Sequence, residues 1–460
     1  MSIEQRLIVV IGMGYVGIPA AALLADVPGH TVTGIQRRSA RSGWKIDLIN
    51  SGGSPFPANE PGIAELIRRV VFEKRTLRVS DSWEAVKQAD VVLIDVQTPV
   101  EAGDHVPRYE SLREVCSEIG KRMRKGSLIS VESTVAPGTM VHLVRPLLEK
   151  ESGMKAGKDF HLCFSYERVM VGRLLHNIVH YPRIVGGFSP ACAEAGAALY
   201  RRIVKAPVVP TDCMTAEVAK TVENAYRDVN IAFANEVALA CESLGVDVFE
   251  VRDLVNNLPN DPSRPSSNPV RNMHLPGAGV GGHCLPKDSW LLKYGVDAYG
   301  KNPVDFRVII ESRMVNDAMP LHMADLIEEG LRSVGVNLSG AKIAVLGYAF
   351  LEDSDDTRNT PTVPLVSELR RRGARAVVIH DPYVREEELP EVKRDVYEVL
   401  AGADCACLVT KHSEYRTIDI ARARSVMKRA VVVDGRNSLM HWKGSGFTVI
   451  SVGKSFPGRG

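Results

Sequence analysis

The stretch Leu7-Ile8-Val9-Val10-Ile11-Gly12-Met13-Gly14-Tyr15-Val16-Gly17 decides how this chain is built. Five consecutive apolar residues make a strand buried on both faces, and the glycines that follow carry the G-x-G-x-x-G spacing of a strand-to-helix turn around a pyrophosphate. Gly12 permits the tight turn, Gly14 lets backbone approach the phosphates, and Gly17 lets helix pack on strand. Pro19 stands near the helix start, where a missing N–H costs little. With a strand before it and a helical run after it, the segment holding Gly12, Gly14, Tyr15, Val16 and Gly17 reads as a dinucleotide cradle and not merely as a structural turn.

Outward from this turn, the β-branched runs Thr31–Ile35, Val91–Val96, Ser127–Val131, His161–Ser165 and Arg183–Val185 alternate with helical patterns as far as about Lys205. That alternation predicts a parallel sheet with crossover helices. From Thr215 to Leu244 there is neither proline nor glycine, and Val218, Val222, Ala225, Val229, Ala232, Phe233, Val237 and Ala240 recur at helical spacing. One helix of more than ~40 Å is expected, long enough to bridge domains or build a dimer interface. A second helical stretch, 306–335, carries Pro320 as an expected kink or break. At Lys342-Ile343-Ala344-Val345-Leu346-Gly347 the strand-glycine opening is repeated, followed by a helix over 364–373 and strands at 376–379, 405–409 and 430–433. The predicted fold is α/β: two Rossmann-like doubly wound domains joined by a central helical segment with one long helix, divided as 1–205, 206–335 and 336–460.

Bulk properties narrow the function classes. A chain of 460 residues with 45% hydrophobic and 24% charged residues has ample core, and a net charge of +2 carries no global signal for nucleic acid or membrane. Apolar runs such as Val91–Ile94 and Val431–Val433 are strand-sized, below the ~18 residues of a membrane helix. Met1 to Arg6 enters the first strand without an apolar leader, which leads us to expect a cytoplasmic protein. Eight scattered cysteines without C-x-x-C spacing argue against a disulfide framework or a bound metal.

The second chemical landmark is Gly279-Val280-Gly281-Gly282-His283-Cys284-Leu285-Pro286-Lys287-Asp288. Glycines strip side chains from around a thiol, and a lysine and a carboxylate follow within four residues, a pattern suited to covalent catalysis on a bulky polar substrate. Lys220 and Asn224 lie one turn apart on the long helix, where the bland alternative is a solvated face. Glu167, at a strand end, reads equally as a base, a substrate contact or an ion-pair partner of Arg168, and Thr134 closes a strand at the cofactor edge. His283 is ambiguous between base and substrate contact. At the end of the second strand the ribose-binding acid of an NAD site is replaced by Gln36-Arg37-Arg38. Glutamine can bond a ribose hydroxyl, whereas the arginines suit a 2′-phosphate, so NAD is favoured with NADP left open.

Taken together, GMGYVG, ESTVAPGT, FSYERV, AKTVENAYRDVNIAFANE, GVGGHCLPKD and GYAFLEDSDDTRNTP, spread from about residue 7 to about 440, resemble the nucleotide-sugar 6-dehydrogenase family. The resemblance implies an N-terminal NAD domain, a central dimer-forming segment, a C-terminal domain serving the nucleotide-sugar site, a homodimer or higher oligomer, and two successive oxidations at C6. It implies Cys284 as nucleophile through a thiohemiacetal and thioester, Lys220 as charge stabiliser, Asn224 as substrate and oxyanion contact, and Asp288 with Thr134 as holders of the water. Glu167 then assists hydrolysis, Arg271 reaches a neighbouring subunit's substrate, and Arg358 lies near the nucleotide sugar. Thr98 stands beside the cofactor with Gln36 and Arg37, and Arg168, Gly281 and His283 line the substrate. Three departures stand out: Gln36 for an aspartate, Leu351 where a lysine is common, and Gln97 where a proline is common. The Gly-Gly-His-Cys order resembles the 2-acetamido-sugar branch, so a UDP-N-acetylhexosamine such as UDP-N-acetylmannosamine is expected ahead of UDP-glucose and GDP-mannose, the product uronic acid feeding polysaccharide biosynthesis. A single-step dehydrogenase with a structural Cys284, and a non-catalytic nucleotide-binding scaffold, are the rivals from other classes.

Overall fold

The computed structural model describes residues 5–40, 42–56, 60–101, 103–257, 272–384 and 389–454. It divides into two compact units, Met1–Glu223 with Trp290–Asp305, and Asn224–Ser289 with Phe306–Gly460.

In the first unit the strands are β1 (Arg6–Ile11), β2 (His30–Ile35), β3 (Leu77–Ser80), β4 (Val91–Ile94), β5 (Leu128–Val131), β6 (His161–Phe164), β7 (Arg183–Gly187) and β8 (Val208–Asp212). They form one sheet ordered β3-β2-β1-β4-β5-β6-β7-β8. Side chains alternate across it: Ile8 and Val10 enter one core cluster, Val9 and Ile11 the other, so helices cover both faces. The strand order reverses beside β1, which places the glycine turn at the crevice where such sheets bind ligands.

The expectation of an all-parallel sheet needs one correction. β6 and β7 pair antiparallel, Cys163 with Gly187 and Phe164 with Gly186. Gly187 is packed so tightly that an added Cβ would meet the Ala193 nitrogen at 2.1 Å, so the end of β7 lies directly against the helix Pro190–Tyr200. β3 and β8 were not expected from sequence. β3 is four residues long and β8 holds Pro210 with a mostly exposed pattern, as an edge strand allows.

The second unit holds β9 (Lys342–Leu346), β10 (Ala376–His380), β11 (Val392–Lys393), β12 (Cys405–Leu408), β13 (Val431–Asp434) and β14 (Thr448–Ser451). Their order, β11-β10-β9-β12-β13-β14, repeats the doubly wound plan, and every pair is parallel. Ile343 and Val345 face one core cluster and Ala344 and Leu346 the other.

The long helix spans Cys213–Leu244, 32 residues, or about 48 Å at the usual rise. The chain passes from the first unit to the second inside it, between Glu223 and Asn224. The helix Arg307–Ser333 runs through Pro320 without the expected break. Pro320 is buried, and its ring takes up space left by Gly279, where an added Cβ would come within 3.1 Å of the ring carbons. Packing thus offsets the lost hydrogen bond. Among the described residues no helix is long and apolar enough to cross a membrane.

Candidate active site

Each unit contributes its own cluster. In the first, Gly12 has φ +101 and an added Cβ would strike the Asp95 carbonyl at 2.3 Å, while one at Gly17 would strike the Gly12 carbonyl at 2.0 Å. Both are obligatory glycines. At Gly14 an added Cβ meets nothing within 4 Å, so the loop has open space above it at the start of the helix Gly17–Asp26. The bare backbone and helix N-terminus fit a pyrophosphate. Tyr15 packs against Phe56 with ring centroids 5.2 Å apart, and Val16 caps the helix. Lys45, which sequence reasoning passed over, donates to the Met13 carbonyl at 3.2 Å and brings a cation to this loop.

Gln36 follows β2 directly. Its Oε1 accepts the Met13 N–H at 3.1 Å and its Nε2 donates to Ser42 Oγ at 3.0 Å. Arg37 pairs with Glu114 at 2.5 Å, and Arg38 pairs with Asp81 and Asp47 at 3.3 and 3.4 Å. Thr98 is buried and donates its hydroxyl to the Thr134 carbonyl at 2.6 Å, tying the two strand ends β4 and β5 together.

Deeper in the same unit lies a charged cluster. Lys220 is buried, its ammonium donating to the Glu167 carbonyl at 3.0 Å and lying 5.1 Å from the Tyr166 ring centre. The Glu167 carboxylate is ion-paired with Arg183, not with its neighbour Arg168, which instead pairs with Glu223 at 2.9 Å. Arg183 also binds Glu132 at 3.1 Å and donates to the Ser165 hydroxyl and carbonyl at 2.8 and 2.9 Å. Tyr200 donates to Glu132 at 2.6 Å. Asp95 completes the group: burial first, and then the neighbouring Glu132 charge, push its carboxyl well above the usual carboxylate range. The signal for Arg183 was present in the sequence as a charged residue opening an otherwise apolar strand; Asp95, at the end of β4, had the same kind of signal.

In the second unit, Cys284 is half-buried and immediately precedes the helix Leu285–Tyr299, its carbonyl accepting the N–H groups of Lys287 and Asp288 at 3.1 and 2.9 Å. The seven other cysteines are buried, and all eight are free thiols. A thiol at a helix start is where negative charge is best accommodated. Asp288 is fully buried, receiving Asn224 Nδ2 at 2.5 Å and Lys287 Nζ at 2.8 Å. Asn224 and Asp288 are thus brought together, and Lys287, unassigned from sequence, neutralises the aspartate. His283 is driven down to about 4 by burial and then by the Lys287 and Arg358 charges, so its imidazole is neutral near pH 7. Arg358 forms a fork with Asp356 at 2.8 and 2.5 Å. Arg271 lies outside the described residues.

The glycines of this loop also have a packing reason. Their empty positions are filled from behind: an added Cβ at Gly281 would meet Phe350 Cβ at 2.5 Å, and at Gly282, φ +95, the Phe350 ring at 2.9 Å. Gly282 N–H donates to the Arg358 carbonyl at 2.8 Å, and Asn359 Nδ2 to the Gly282 carbonyl at 3.0 Å. The glycines therefore let the loop press onto the Phe350–Asn359 segment. Arg436, beyond β13, braces the same loop through Gly279 at 3.1 Å.

Comparison with known proteins gives a consistent picture. Residues 6–204 match the NAD binding domain of the UDP-glucose/GDP-mannose dehydrogenase family, 214–318 its central domain and 344–441 its UDP binding domain. The chain is 37% identical over 430 residues to UDP-N-acetyl-D-mannosamine dehydrogenase of Pyrococcus horikoshii, covering 94% of this chain and 95% of that one. Among solved structures, NDP-N-acetyl-D-galactosaminuronic acid dehydrogenase of Methanosarcina mazei Go1 is 39% identical with a TM-score of 0.85, covering 98% of this chain and 96% of that one. The UDP-D-ManNAc dehydrogenase structure from Pyrococcus horikoshii is 35% identical with a TM-score of 0.86, at 97% and 99% coverage.

Proposed function

The chain belongs to the UDP-glucose/GDP-mannose dehydrogenase family and is an NAD-dependent nucleotide-sugar dehydrogenase, and we propose that it oxidises C6 of a UDP-N-acetylhexosamine, UDP-N-acetylmannosamine-like, to the uronic acid through a thioester on Cys284. The observation that carries this reading is the thiol at the start of a helix whose first turn also holds Asp288, locked to Asn224 and Lys287.

NAD, when bound, would accept one hydride, so the two oxidations use two NAD in turn. The rest falls to side chains. Lys220 stabilises negative charge on the C6 oxygen, with Asn224, four residues on along the same helix, as the second contact. The first oxidation takes a hydride from C6 to NAD and the hydroxyl proton to solvent, leaving the aldehyde; Cys284 Sγ then adds to the aldehyde carbon, the carbonyl π pair moving to the oxygen, which takes up a proton to give a thiohemiacetal, and loss of a second hydride and that proton leaves the thioester. Water held by Asp288 and Thr134 then attacks: a C–O bond forms, the C–S bond breaks, the thiolate returns, and Glu167 assists removal of the water proton. Residues 1–205 carry the cofactor, and Arg168 there is a substrate contact; 206–335 carry the catalytic and dimerisation helix, with Gly281 and His283 as substrate contacts; 336–460 carry the nucleotide end, with Arg358 as its contact. Tyr226 and Phe233, 67% and 58% exposed and seven residues apart on the long helix, support a homodimer through that face. Relatives acting on acetamido sugars support that substrate class over UDP-glucose.

The test is stoichiometry. Across a panel of UDP-sugars, two NADH per sugar and a uronic acid product are expected for a UDP-N-acetylhexosamine. Cys284→Ser should lower turnover by at least ~100-fold, the scale for removing an essential covalent or oxyanion group. One NADH per sugar, or steady turnover unchanged in Cys284→Ser, would leave a single-step dehydrogenase instead.

A further inference from the structure

The cofactor choice of this enzyme poses a physical problem at the end of β2. An NAD site ordinarily excludes a 2′-phosphate with a carboxylate at this point, but residue 36 is a neutral glutamine. Its amide is also already engaged, the oxygen by the Met13 N–H and the nitrogen by Ser42. Two arginines follow immediately, the residue type that accepts a 2′-phosphate. Local sequence therefore leaves room for a 2′-phosphate, and residue 36 alone does not account for a preference for NAD.

Tertiary structure supplies the missing negative charge from three other elements. Glu114, on the helix Glu110–Gly120, lies 2.5 Å from Arg37. Asp81, just beyond β3, and Asp47, on the helix Trp44–Asn50, lie 3.3 and 3.4 Å from Arg38. Two guanidinium groups are therefore answered by three carboxylates. All five side chains are half or more exposed. Such pairs are individually weak and screened by salt. A 2′-phosphate, with a charge of about −1.5 to −2, has to draw an arginine away from its carboxylate and then sit beside that carboxylate.

We propose that Glu114, Asp81 and Asp47 are the specificity determinants of this enzyme for NAD over NADP, acting by holding Arg37 and Arg38 and by repelling a phosphate on the adenosine ribose. Selection has moved from one carboxylate on β2 to a set contributed by neighbouring elements. The corollary is that Arg37 and Arg38 form a latent 2′-phosphate site.

The experiment measures binding of ADP-ribose and 2′-phospho-ADP-ribose by calorimetry, so that no turnover is needed. A double charge about 6 Å from a carboxylate in a water-like dielectric corresponds to roughly tenfold in affinity. The affinity ratio should therefore shift toward the phosphorylated probe about tenfold in Glu114→Gln and about a hundredfold in Glu114→Gln/Asp81→Asn, with the shift shrinking at high salt. Adding Arg37→Gln and Arg38→Gln should erase the gain. A ratio within twofold of the wild type in the double variant, or a gain that survives loss of both arginines, would overturn the proposal. Failure of the wild type to bind either probe would overturn the cofactor cradle and this proposal with it. Steady-state use of NADP should rise in parallel with the calorimetric ratio.

Discussion

Replacing Arg183 with methionine removes one guanidinium and strands two carboxylates. The Arg183 side chain is 3% exposed, that of Glu132 0% and that of Glu167 6%, so water cannot replace the lost partner. The Ser165 hydroxyl and carbonyl lose their donors as well, and Tyr200 loses the guanidinium 3.9 Å from its ring centre. Breaking one side of a buried ion pair costs about 3–5 kcal/mol, because the remaining charge is left unsolvated. For a domain of 150–250 residues each 1 kcal/mol lowers Tm by about 2–4 °C, so the expected drop is between about 6 and 20 °C. Thermal unfolding followed by circular dichroism reads it directly. The deficit should shrink as pH falls from 8 towards 5, since acid neutralises the stranded carboxylates. Arg183→Met/Glu132→Gln should recover part of the loss. Arg183→Lys should fall between, because a point charge cannot form the fork to Ser165 and both carboxylates. A Tm within about 2 °C of the wild type for Arg183→Met would refute the view that Arg183 compensates the buried Glu132 and Glu167 charges.

Three further outcomes follow from the geometry. Burial pushes the Glu217 carboxyl up to about 7, against the backbone N–H groups of Gly138 and Met140 that favour its charged form. A raised folded value means its contribution is fully present below pH ~4.5 and is lost as pH rises towards 7, so Glu217→Gln should flatten the Tm-against-pH slope between pH 5 and 7; an unchanged slope counts against it. Gly282→Ala places a methyl at φ +95 and 2.9 Å from the Phe350 ring, for an expected loss of about 2–4 kcal/mol, of which Phe350→Ala in the same chain should return only the packing share. His283, at about 4, should contribute no ionisation to kcat/KM between pH 5.5 and 8; a limb in that range that disappears in His283→Gln would show that it titrates there.

The residues differ in how readily sequence exposed them. Gly12, Gly14 and Gly17 were legible because a glycine turn after an apolar strand has local backbone causes, and the structure gives each one a clear steric reason or an open cradle. The helix Cys213–Leu244 was legible from its periodicity. At Pro320 a local rule predicts a kink or break; the helix is continuous there, with the ring buried beside Gly279. The packing of the glycines beside Cys284 against Phe350 and Asn359, some seventy residues away in sequence, has no local signal.

The sequence alone determined the α/β class, the dinucleotide turn and the chemical inventory of thiol, lysine, asparagine and carboxylates, since each depends on contacts within a few residues along the chain. Tertiary structure alone decided which charges face each other. That Glu167 pairs with Arg183 and not Arg168, that Arg37 answers to Glu114, and that Asp288 is held by both Asn224 and Lys287 are long-range or orientational facts. Electrostatic partnership depends on distance and burial in space, and linear spacing does not specify either until the sheets are assembled.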